Sequence, residues 1–90
     1  MLKIYPNNVW GLNLAANYYI NKDDLKKAES LFLKAKSIDP NDHIILFNLA
    51  YLYKSNKNYA SAIQIYEQVL MQFKDHLELV EYAQSEIKRL

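Results

Sequence analysis

The chain reads as all-α, an α-α superhelix of about five helices stacked as a solenoid. Three observations predict this. Its 90 residues are 51% hydrophobic yet hold one glycine and two prolines, too few backbone breakers for a strand-rich fold with many tight turns. Apolar residues between the breaks recur at the i, i+3, i+4, i+7 spacing of an amphipathic helix. Two stretches also match each other at an offset of 34 residues: Leu12, Ala16, Tyr19 and Ala28 recur as Leu46, Ala50, Tyr53 and Ala62, Leu25 as Tyr59, and Phe32 as Tyr66.

Each element follows in order. Residues 1–8 are a lead segment, in which Ile4, Pro6 and Asn7 match Ile38, Pro40 and Asn41 at the same offset. They read as the remnant of a preceding repeat. Residues 9–21 carry Leu12, Ala15, Ala16 and Tyr19 on one stripe, with Asn8 as N-cap. Asn21 to Asp24 is a break, where Asp23 or Asp24 caps the next helix. Residues 25–38 repeat the apolar stripe at Leu25, Ala28, Phe32 and Ala35. Asp39 to Asp42 ends it, because Pro40 cannot continue the hydrogen-bond ladder. Residues 43–55 repeat the first helix, with Leu46, Leu49, Ala50 and Tyr53, and 59–73 repeat the second, with Tyr59, Ala62, Tyr66 and Val69. A last helix is expected at about 76–89, opened by an Asp75–Glu78 capping box. It puts Leu77, Val80, Ala83, Ile87 and Leu90 on one side, with Glu81, Ser85, Glu86, Lys88 and Arg89 largely away from it. A solenoid needs such a terminal helix, apolar inward and polar outward.

The alanines let paired helices approach closely, and the rings at 19, 32, 53 and 66 fill the gaps between them. This code occurs twice in register and resembles the tetratricopeptide repeat. The resemblance implies repeats at 9–42 and 43–75 and a capping helix at 76–90. It implies a non-catalytic module that binds another protein or peptide, part of a longer repeat protein. The pattern departs from the family at Val69, in place of alanine, and at Lys74, in place of proline. Where the family favours glycine between its helices, this chain has Asp23 and Lys57. Aspartate tolerates a left-handed backbone and lysine less readily, so the second turn is expected to differ in shape from the first.

In this family the first helix of each repeat lines a concave groove. The resemblance places Trp10, Asn13 and Asn17 there from the first repeat, Phe47, Tyr51 and Lys54 from the second, and Glu78 and Tyr82 from the end helix. Asparagines can donate to and accept from a peptide backbone, and tyrosine and tryptophan are favoured interface anchors. For Phe47 a role inside the fold stands equally open, for the asparagines that role is the favoured one, and Trp10 has a competing partner in the lead around Tyr5. Some members clamp acidic tails with lysine, asparagine and arginine. Asn17 and Asn48 match the clamp asparagines, but Asn13, Glu78 and Tyr82 stand where the cations are needed, so the clamp is rejected. Leu14 and Tyr18 would face a preceding repeat. They give the alternative function, a structural element that self-associates into a homo-oligomer through this edge. A regulatory or positioning domain of a larger enzyme is a third reading.

Other classes find little support. Eleven basic and ten acidic residues, net +1, do not make a field for nucleic acid or an anionic membrane. With no cysteine, neither a disulfide framework nor a thiolate metal site exists. The longest apolar run, Ile44 to Tyr53, falls short of the roughly 20 residues a bilayer crossing needs. The N-terminal residues do not read as a secretory signal, and the cytoplasm is the favoured expectation. His43 and His76 lie a repeat apart and read as solvated helix starts, not as metal ligands. No nucleophile pairing or phosphate loop is present, so neither an enzyme nor a cofactor is expected.

Overall fold

Local capping chemistry sets each boundary. The computed structural model describes residues 8–90, so the lead segment, apart from Asn8, lies outside the described residues. Five helices follow: α1 (Val9–Asn21), α2 (Leu25–Ile38), α3 (His43–Ser55), α4 (Tyr59–Gln72) and α5 (Leu77–Arg89). Asn8 Oδ1 accepts from the Gly11 amide at 2.9 Å, Asp24 from Lys27 at 3.2 Å, and Asp42 from Ile44 at 2.9 Å. Asn58, the repeat-equivalent of Asp24, accepts from Ser61 at 3.4 Å. Each satisfies an amide that the first helical turn leaves without a partner.

The two interhelix turns have the same shape, which corrects the expectation for Lys57. Asp23 and Lys57 both adopt the left-handed region, with φ of 62° and 61°. The Asp23 and Asp24 amides donate to Ile20 and Tyr19, and the Lys57 and Asn58 amides to Lys54 and Tyr53. These are paired Schellman closures. The hydrogen bonds and the packing of the flanking helices outweigh the roughly 1–2 kcal/mol that a side chain costs in this conformation.

α1 packs on α2, α3 on α4, and α4 on α5, with α2 joining the two hairpins. The core is the alternation read from the sequence: Ala15, Ala16, Ala28, Ala35, Ala50 and Ala62 are sealed from solvent, as are Leu12, Phe32, Leu46 and Val69. Tyr66 is buried with them, whereas Tyr59 stays largely exposed. The body measures 38 × 26 × 16 Å.

α5 departs from its sequence reading in three ways. The chain turns through 73–75, so the N-cap is His76, which makes no side-chain cap bond. Asp75 falls one residue too early and Glu78 stands at the second helical position, so the Asp75–Glu78 capping box does not form. Leu77 is exposed, because it precedes the turn on which α5 meets α4. Glu86, expected on the polar side, is 5% exposed. It lies where α5 crosses toward α3, and Lys54 Nζ reaches its Oε2 at 3.4 Å. The outer face of α5 is otherwise polar, with Glu81, Gln84, Ser85 and Lys88 in solvent.

Candidate functional site

α1, α3 and α5 are tied together by side chains and form one continuous face. Asn48 Nδ2 on α3 donates to Asn13 Oδ1 on α1 at 2.8 Å. On the other side of α3, the Phe47 ring meets Tyr82 of α5 edge-on, with centroids 5.0 Å apart. Two turns further along α3, Lys54 reaches Glu86.

On this face three rings stand open: Trp10 is 66% exposed, Tyr51 55% and Tyr82 50%. Ile44 is open beside them. Phe47 divides its role. It is half-buried and touches His43, Tyr66 and Tyr82, so it forms a floor against which the Tyr82 ring rests. Asn17 and Glu78 are exposed, and Lys54 is half-exposed with its ammonium directed to Glu86. Asn13, placed in the groove by the resemblance, instead takes the role inside the fold that the sequence also left open. It is buried, and its amide oxygen is used by Asn48, so it serves the joint between hairpins. Trp10, Asn17, Phe47, Tyr51, Lys54, Glu78 and Tyr82 are thus distributed over the face, and Asn13 lies beneath it.

Two clefts open at the end where α1, α3 and α5 begin. One, of about 230 Å³, lies between Trp10 and Ile44 with Asp39 and Asp42 at its edge. The other, of about 510 Å³, is lined by His43, His76, Leu77, Asp75 and Glu78. Between the histidines stands Phe73, with ring centroids 5.9 Å from His43 and 6.0 Å from His76. The histidines therefore converge on one aromatic ring, which their separation in sequence concealed. Among the described residues no group of three or more histidine, cysteine or carboxylate side chains is placed to hold a metal.

Behind the face, two tyrosines are shifted. Burial, helped by the hydrogen bond that Tyr53 donates to Glu29 at 2.7 Å and by the charge of Glu29, pushes the Tyr53 hydroxyl up to about 12. Burial, with the nearby Glu86 and Tyr82, raises Tyr66 to about 12. Sequence reading missed the Glu29–Tyr53 and Lys54–Glu86 contacts. Both join residues more than 20 positions apart, so helical spacing carries no trace of them.

The edge of α1 opposite this face leaves Leu14 and Tyr18 open. Tyr18 is 42% exposed, whereas its repeat-equivalent Leu52, which α2 covers, is 3% exposed.

No curated protein matches the chain. A family model described as YpiA-like, tetratricopeptide repeats, matches residues 25–73, more than half of the chain. The match spans α2 through α4, the stretch that holds the second copy of the packing code. Proteins of this kind generally mediate protein–protein interaction and are generally non-catalytic. No described helix is long and apolar enough to cross a membrane. With its interleaved alanines and rings, its two matching turns and this alignment, the chain belongs to the tetratricopeptide-repeat family.

Proposed function

We propose that this chain is a non-catalytic protein-interaction module within a longer repeat protein. Its two repeats, 9–42 and 43–75, and the capping helix at 76–90 hold a peptide or a partner helix against the face of α1, α3 and α5. The observation that carries this reading is the set of open rings, Trp10, Tyr51 and Tyr82, around the half-buried Phe47. A monomer gains nothing from leaving three large rings in water. Desolvating them against a partner is worth about 1–3 kcal/mol each. Phe47 and its neighbours already hold the floor in place, so binding costs little ordering of the site.

Peptides selected on the chain from a displayed random library supply the probe. Tyr51→Ala is expected to weaken the selected peptides about tenfold or more while the melting temperature stays within a few degrees. If Tyr51→Ala unfolds the chain, Tyr51 belongs to the core and the groove loses its main anchor.

A second reading rests on Leu14 and Tyr18. In α3 the equivalent position Leu52 is buried beside α2 and Asn48 bonds to Asn13 of α1, so the matching edge of α1 has the shape of a seat for another helix. A homo-oligomer through it would show a mass that rises with concentration in light scattering, and Tyr18→Glu would return the mass to that of a monomer. A constant monomeric mass removes this reading.

A further inference from the structure

The geometry points to a basic segment of a partner protein as the occupant of the rim where α1, α3 and α5 begin, a conclusion that rests on the proposed binding face and adds the chemistry of what binds there. The two clefts on this rim are the same architectural feature one repeat apart. Val9, Asp42, Ile44 and Ile45 of the first correspond to His43, His76, Glu78 and Leu79 of the second. Four carboxylates line them: Asp39, Asp42, Asp75 and Glu78. Among the described residues neither cleft is lined by lysine or arginine. Lys74 adjoins Asp75 in sequence but lies outside the lining.

Helix electrostatics do not account for all four. Asp42 caps α3 and Glu78 stands in the first turn of α5, where negative charge is favoured. Asp39 is the C-cap of α2, where the macrodipole disfavours a carboxylate. Asp75 follows the end of α4, and the N-cap of α5 is His76 instead. The positive ends of α1, α3 and α5 bring only about half a unit of charge each to this rim, which four full negative charges exceed. The first cleft adds an apolar wall of Trp10 and Ile44, both open to solvent. An arginine or lysine lays its aliphatic stem on such a wall and its charge near the ring and the carboxylates. An acidic segment is excluded by the same charges.

The test is fluorescence anisotropy with a labelled peptide that alternates arginine and leucine, beside glutamine–leucine and glutamate–leucine versions. The arginine peptide is expected to bind best, with affinity falling as salt rises. Asp39→Asn with Asp75→Asn removes two charges, touches no N-cap side chain and keeps at position 39 an amide oxygen that can accept from the Asn41 amide as Asp39 does; it is expected to weaken binding roughly three- to tenfold. The unchanged melting curve of that double variant shows that the fold is intact, and Trp10→Ala gives an independent loss through the apolar wall. Equal binding of the three peptides, or of the double variant and the parent, overturns the basic partner. If Tyr51→Ala still abolishes that binding, the aromatic face survives and only the charge assignment falls. Failure of the arginine peptide to bind at all also overturns it.

Discussion

Phe32→Ala is expected to lower the stability of this chain by about 3–5 kcal/mol. Phe32 is the largest fully buried side chain and lies among the alanines where the two hairpins meet. Its removal loses the transfer energy of a ring and leaves a void that α-helical backbones on either side close poorly. A domain of this size has a total stability of roughly 5–13 kcal/mol, so the variant stands near the point of unfolding at ambient temperature. Urea melts followed by circular dichroism check it. A loss under about 1 kcal/mol would mean that the packing code is not what holds the hairpins together.

The second large effect is alkaline unfolding. Tyr53 and Tyr66 ionise near 10 when unfolded and near 12 in the fold. The native state therefore keeps both protons longer than the unfolded state does. The stabilisation is fully present below pH 10 and is lost as the pH rises from about 10 to about 12. For the buried Tyr66 a shift of this size is worth roughly 2–3 kcal/mol at most. Tyr53 is partly open, so solvent screening makes its share smaller. Denaturant midpoints across this window should fall steeply for the parent chain. The slope should flatten in Tyr53→Phe with Tyr66→Phe, which cannot ionise there. An unchanged slope in the double variant would assign the alkaline sensitivity to other groups.

Most of the fold was legible in the sequence because the forces that set it act over one helical turn. Stripe spacing and asparagine or aspartate caps placed α1, α2 and α3 at their observed ends, and α4 and α5 within one residue. The turn at Lys57 was misread because residue propensity was weighed without the closing hydrogen bonds from Lys57 and Asn58. The α5 cap was misread because three residues of turn, not two, separate it from α4. On the candidate face, the exposure of Trp10, Tyr51 and Tyr82 follows from helical geometry. The inward turn of Asn13 and the burial of Glu86 do not. Each depends on a partner on another helix, Asn48 and Lys54, and pairing across helices leaves no periodic mark in the chain.

The two outer surfaces of this stack are unlike. The α1 edge offers Leu14 and Tyr18, while the far side of α5 offers Glu81, Gln84, Ser85 and Lys88. A head-to-tail contact between two such stacks would set leucine and tyrosine against polar and charged side chains, a poor match. If the self-association proposed above takes place through this edge, an isologous contact that buries Leu14 and Tyr18 of both copies would stop at two.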